Sequence, residues 1–276
     1  MADFNQKLIC LLTDFGLKGQ HYVASMKGVI LKINPNIRII DITHYITPYS
    51  IIEASYILKT TYKHFPEGTI FIIVVDPGVG SPREILALKT TSNHYFIGPN
   101  NGIFSGNFTK NIVECIEIQN DEFFNKPISN TFHGRDIMAP VAAQIISGIP
   151  LSTFGPNFNL NNLKESQITY DIDFEKKVIQ CSIQYIDSFG NGTTNIPMGN
   201  NIIKNSEFII NEGTEIIVKI KKKIYKGFFT LNFSSVPIES ILFLVGSTGF
   251  LELSINQGNA SKKLGFKVGD IITIEL

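Results

Sequence analysis

Two stretches, "LICLLTD" at residues 8–14 and "TIFIIVVD" at 69–76, are almost wholly apolar until each ends on an aspartate. A strand with one wet face alternates apolar and polar residues, so a run without alternation must be covered on both faces. The covering helices are legible nearby. Val23, Met26, Val29, Ile30 and Ile33 fall at helical spacing within 20–33. "SIIEASYILKTTYKHF" opens with Ser50 and Glu53, an S-x-x-E capping box that satisfies two free N–H groups at a helix start. "IRIIDI" (37–42) reads as a further strand, as do shorter runs near 85–90, 94–97 and 112–118. A last helix is predicted over 135–147, stopped by Gly148 and Pro150. Strands alternating with helices predict an α/β domain with a mostly parallel sheet.

After about residue 150 the pattern changes. "FGPNFNLNNLKES" is polar and broken by Gly155 and Pro156, which suits a linker. Beyond it lie short alternating strands: "VIQCSIQYID" (178–187), "TEIIVKI" (214–220), "GFFTLNF" (227–233), "SILFLV" (240–245) and "DIITIEL" (270–276). These predict a smaller antiparallel β-barrel or sandwich. The expected division is an N-terminal α/β domain at 1–160 and a C-terminal β-barrel domain at 161–276.

Composition narrows the function classes. Hydrophobic residues make up 43% and charged residues 17% of 276. That is enough for a large core and excludes a disordered chain. Lys+Arg and Asp+Glu are both 24, so the basic surplus of a duplex-binding protein is missing and no nucleic-acid partner is expected. The one basic run, Lys221-Lys222-Lys223, reads as a solvated hairpin tip. No apolar stretch reaches the ~20 residues of a membrane helix, so no membrane partner is expected. "LICLL" is too short for a signal-peptide core and lacks a cationic flank. Cys10, Cys115 and Cys181 are far apart, form no CxxC, and suit a reducing compartment. A cytoplasmic protein is expected.

In an open parallel sheet, ligands bind beyond the carboxyl ends of the strands. Three strand-like runs end on Asp14, Asp41 and Asp76, and the first and third continue into the glycine-bearing turns "FG" and "PGVG". A carboxylate there suits two vicinal hydroxyls, or it merely caps the next turn; for Asp14 and Asp76 the spacing leaves both open. For Asp41, followed by a plain "ITHYITP", the cap is the better reading. "GVG" without a following lysine is not a phosphate loop. In "NTFHGRDIMAP" (130–140), His133 and Asp136 stand three apart and with Asp76 would make a metal set, but Arg83 and Arg135 beside a cation argue against it. No metal or cofactor is expected.

Several separated motifs occur in order: "LLTDFG", "MKGVI", "DITHYITP", "FPEGTIFIIVVDPGVGSPR", "GPNNGIFS", "TFHGRDIMAPVAA" and "DSFGNGTTNI". With these, the chain resembles the S-adenosylmethionine hydroxide adenosyltransferase family, relatives of fluorinating and chlorinating enzymes. The resemblance implies hydrolysis of S-adenosylmethionine to adenosine and methionine. It puts the water-handling triad on Asp76, Arg83 and His133, and the ribose contact on Asp14. It puts adenine contacts on Phe189 and Asn191, and a methionine contact on Ser247. It also implies a homotrimer with the site at the subunit interface. Halogenating relatives carry other residues, including tyrosine, where Asp76 stands. There are two departures: "FGLKGQHYV" lacks the aspartate usual near position 20, which bears on the methionine amino group, and Thr248 stands where the fluorinating enzyme has an arginine, whose role is not carried over. A halide-using adenosyltransferase and a non-catalytic nucleoside or S-adenosylmethionine binder stay open as alternatives.

Overall fold

The computed structural model describes residues 8–206 and 208–276. The expectation that no secretory leader is present falls partly on residues 1–7, which lie outside those described. The chain divides into two compact units, Met1–Ser166 and Gln167–Leu276.

In the first unit β1 (Leu8–Thr13), β2 (Arg38–Thr43), β3 (Ile70–Val74), β4 (Ile85–Thr90), β5 (Tyr95–Pro99) and β6 (Ile112–Glu117) form one sheet among the described residues. Their spatial order is β2-β1-β3-β5-β4-β6. β2, β1, β3 and β5 run parallel, while β4 runs against both β5 and β6. The helices are α1 (Gln20–Ile33), α2 (Ile51–Thr61) and α3 (Ala139–Ile146). The strand period of two sorts the side chains between two cores. Ile9, Leu11, Ile70, Ile72 and Val74 pack with Met26 and Ile30 of α1 and Val141 of α3. Leu8, Cys10, Leu12, Phe71, Ile73 and Val75 pack with Ala54 and Leu58 of α2. Each fully buried Leu, Ile or Val contributes about 1.5–3 kcal/mol, which is why the two apolar runs become the centre of the sheet.

Several details differ from the sequence reading. Asp41 lies inside β2 rather than at its end, and among the described residues its carboxylate caps no turn: it pairs with Lys27 at 2.6 Å and faces His44 at 3.1 Å. β2 is an edge strand, so a carboxylate on its open side costs little. The capping box is half formed. Ser50 accepts the Glu53 N–H at 3.3 Å, but the Glu53 carboxylate accepts the Thr47 N–H at 3.1 Å instead of that of Ser50. The Ser50 N–H is already taken by the Thr47 carbonyl at 2.9 Å. The polar segment after α3 is bound along β6: Phe158 N–H donates to Cys115 O at 2.8 Å, and Glu117 N–H to Pro156 O at 3.0 Å.

The second unit contains β7 (Asp171–Asp173), β8 (Val178–Ile186), β9 (Gly192–Gly199), β10 (Ile202–Ile203), β11 (Glu215–Ile220), β12 (Lys223–Phe229), β13 (Ile241–Val245), β14 (Phe250–Ile255) and β15 (Ile271–Glu275), with the short helix α4 (Ala260–Leu264). The order β9-β14-β13-β12-β11-β15-β8 returns to β9, so seven strands close into a barrel, with β10 and β7 attached at the margins. Ile179, Val218, Phe229, Phe243, Leu253 and Ile274 fill it. β12 starts four residues earlier than expected, because the hairpin turn needs only Lys221, at φ +56°, and Lys222. β9 and β14 escaped the sequence reading. β9 carries Gly192 and Pro197, and its pairing with β14 slips between Phe250 and Glu252, which blurs the alternation. Among the described residues no helix is long and apolar enough to cross a membrane.

Candidate active site

Parallel neighbours β1 and β3 end together, with Thr13 opposite Val74. Asp14 and Asp76 therefore emerge at one edge of the sheet, where strand carboxyl ends face a ligand. Asn101 holds the second of these ends, its side-chain amide donating to the Val75 carbonyl at 2.9 Å. The chain then turns twice: Val79 N–H donates to Asp76 O and Ser81 N–H to Gly78 O. This returns Arg83 to the carboxylate it left seven residues before. Its Nε lies 2.9 and 2.8 Å from the two Asp76 oxygens, and its Nη2 donates to Oδ2 as well. Both side chains are nearly buried, at 4% and 11% exposure. Such a pair in a low dielectric is held by geometry and depends on both partners being present.

The third group arrives from the segment before α3. Gly80 sits at φ +80° with the Asn130 carbonyl against it; a Cβ there would lie 2.5 Å from that oxygen. The turn and the 129–134 segment meet only because residue 80 has no side chain. Gly134 likewise backs onto the Val74 side chain, 3.0 Å from where its Cβ would be. His133 is thereby placed with Nδ1 3.1 Å from Arg83 Nη2. A guanidinium only donates, so Nδ1 accepts, the ring is neutral, and its proton sits on Nε2. Burial, then the Arg83 charge, hold the His133 pKa below its ordinary value.

Asp14 takes a backbone donor, the Tyr49 N–H at 2.8 Å. Tyr49 itself is at φ +68°, a conformation uncommon for a bulky residue. Burial raises the Asp14 pKa and nearby Asp76 adds to this, against the lowering from the Tyr49 N–H. Asp14, Asp76 and His133 line a cleft of about 370 Å³, walled by Phe15, Tyr22, Tyr49 and Phe132. The rings of Phe15, Tyr22 and Phe132 meet edge to face at 5.2–5.9 Å. None of these four aromatic residues was singled out from the sequence, since only the fold brings them together.

Asp136 does not join this group. It is fully buried, and its oxygens accept from Arg135, Asn125 and the Ser129 N–H at 2.7–2.9 Å. The Asp76–His133–Asp136 metal set is therefore not assembled, and no cluster of three such ligands occurs among the described residues.

The other expected residues belong to the second unit. Asp187 accepts the N–H groups of Phe189 and Asn191, both at 2.9 Å, and the Asn191 side-chain amide at 3.0 Å. This fixes the β8–β9 turn and leaves the Phe189 ring 73% exposed while Asn191 is buried. Ser247 lies exposed in the β13–β14 turn.

Comparison with known proteins adds an independent finding. The sequence model of the SAM hydroxide adenosyltransferase N-terminal domain matches residues 9–155, and that of the C-terminal domain matches 181–273. A protein of Methanocaldococcus jannaschii named (R)-S-adenosyl-L-methionine hydrolase is 36% identical, over 99% of this chain and 98% of its own length. A fluorinase of Actinoplanes is 25% identical over 68% of this chain and 71% of its own length. A crystal structure of an uncharacterized conserved protein from Thermotoga maritima superposes with a TM-score of 0.85 at 36% identity, covering 97% of this chain and all of the other.

Proposed function

The chain belongs to the SAM hydroxide adenosyltransferase family, and we propose that it is a hydrolase that converts S-adenosyl-L-methionine and water to adenosine and L-methionine. Water attacks the ribose C5′ in line with the sulfonium. The C5′–O bond forms, the C5′–S bond breaks, and its electron pair leaves with sulfur as the neutral thioether of methionine. One proton is released. Because the leaving group is neutral, no general acid is required, and the demand falls on holding and deprotonating the water.

The observation that carries this reading is the chain Asp76–Arg83–His133 at the cleft. Arg83 has no acceptor and His133 Nδ1 is occupied by it. Asp76 also pairs with Arg83, but its Oδ1 accepts only the Nε–H and keeps a lone pair, so the Asp76 carboxylate takes the proton while the Nε2–H of His133 orients the water oxygen. Arg83 favours the negative charge building on that oxygen. Asp14 accepts hydrogen bonds from the ribose diol. Phe189 stacks on the adenine, Asn191 hydrogen-bonds it, and Ser247 meets the methionine end. We further propose a homotrimer in which these three residues of one subunit serve the cleft of another. No metal or cofactor takes part, so a chelator should leave turnover unchanged. Burial pushes the Cys10 and Cys115 thiols up to about 12, which suits inert thiols in the cytoplasm.

Incubation with each sulfonium epimer of S-adenosylmethionine in ¹⁸O-water tests the reaction. Adenosine carrying ¹⁸O at the 5′ position is expected, without added halide. A 5′-halo-adenosine formed only with chloride or fluoride, or substrate recovered intact, would overturn it.

A further inference from the structure

His44 lies outside the cleft, only 5% exposed, yet it touches the Asp14 loop twice. Its carbonyl accepts the Gly16 N–H at 2.7 Å. Its Nδ1 lies 2.9 Å from the hydroxyl of Thr13, which is fully buried. On the far side, Nε2 is 3.1 Å from Asp41 Oδ1. The two atoms are not aligned for a hydrogen bond and meet as an electrostatic contact. A carboxylate oxygen that close still places a proton on Nε2, and the neutral ring then accepts at Nδ1 from the Thr13 hydroxyl. The Thr13 oxygen is left free to accept the Phe15 N–H at 3.3 Å. Lys27 of α1 fixes the outer end by pairing with Asp41 Oδ2 at 2.6 Å.

From the Asp41 contact onward each hydrogen bond has a matched donor and acceptor, and the chain ends on the two residues that flank Asp14. We propose that His44 is a positioning residue: through the Thr13 hydroxyl and the Gly16 N–H it sets the direction in which Asp14 presents its carboxylate to the ribose diol. This rests on the reading of Asp14 given above. The diol does not react, so its hydrogen bonds are equally strong in ground and transition states. Their loss raises KM and leaves kcat.

The test compares S-adenosylmethionine turnover, adenosine binding by calorimetry and thermal melting for the wild type and T13V, H44Q, H44N and D14N. An Asn Oδ1 stands near the place of Nδ1 and keeps the acceptor, whereas Gln reaches the Nε2 position and loses it. T13V and H44Q should each raise KM about tenfold, with kcat within about threefold. The T13V/H44Q pair should be no worse than either single variant, because both cut the same chain. H44N should restore KM to within about threefold of wild type. An unchanged KM in T13V, additive effects in the pair, or H44N as poor as H44Q would each overturn the proposal while D14N still weakens adenosine binding. If D14N itself leaves adenosine binding and KM unchanged, the reading of Asp14 fails, and this proposal with it.

Discussion

At the scale of single residues, the sharpest expectation concerns Asp76. Asp76→Ala removes the proposed proton acceptor but no group assigned to the substrate's ribose or adenine. kcat should fall about a hundredfold or more, while KM moves by less than about threefold; equal losses in both would contradict the role. pH separates Asp14 from His133. In its proposed role Asp14 must be ionised to accept both diol hydroxyls, and burial raises its pKa. KM should therefore climb as pH falls, starting above the ordinary 3.8, and Asp14→Asn should abolish that climb. Burial and Arg83 lower the His133 pKa, so the midpoint of its protonation lies below the ordinary 6.5. kcat should be level above that pH and drop below it, as the protonated ring loses its contact with Arg83. Profiles of kcat and kcat/KM would resolve the two limbs. Asp76 and His133 were legible as a strand-end acid before a glycine turn and a polar histidine segment, features written in side chains, whereas their grouping with Arg83 as a triad was implied only by the family resemblance. The clamp on Asp14 was not legible, because it comes from the backbone N–H of Tyr49, and a tyrosine announces neither a backbone donor nor a positive φ.

At the scale of elements, the segment before α3 shows why a motif can be read for the wrong chemistry. Asp136 looks like a metal ligand by spacing, but it anchors the 125–129 loop. Burial pushes its pKa up, and the hydrogen bonds from Arg135, Asn125 and Ser129 more than reverse this, leaving it below the usual carboxylate value. A lowered carboxylate pKa means stability that is present above the unfolded value of 3.8 and lost as pH falls through the folded one. Asp136→Ala strands three donors and should cost about 3 kcal/mol at neutral pH. The gap to wild type should close only below pH 3.8, as measured by denaturant melts across pH. Buried strands and amphipathic helices were readable from periodicity. β9 and β14 were not, because Gly192, Pro197 and a pairing slip break the very alternation that identifies a strand. The Glu53 partner was missed for a related reason: capping depends on which N–H is still free, and Thr47 had already engaged Ser50.

For the molecule as a whole, the sequence displayed its two grammars clearly, one for a covered sheet and one for a barrel. What it could not display was closure, since which strands meet across the ring is a matter of topology. The proposed sharing of one cleft between subunits has a direct consequence. Asp76→Ala and Phe189→Ala damage opposite halves, so co-refolded mixtures should regenerate intact sites in about a quarter of positions. Activity at low substrate should then exceed the mean of the two variants alone; a site built within one subunit predicts only that mean. The barrel also matters to this half-site. The strands that complete the circle, β8 and β9, are the two arms of the hairpin that holds out Phe189. The aromatic finger is thus mounted on the clasp of the ring. A substitution that loosens any stave, however remote, slackens the clasp and lets the finger wander.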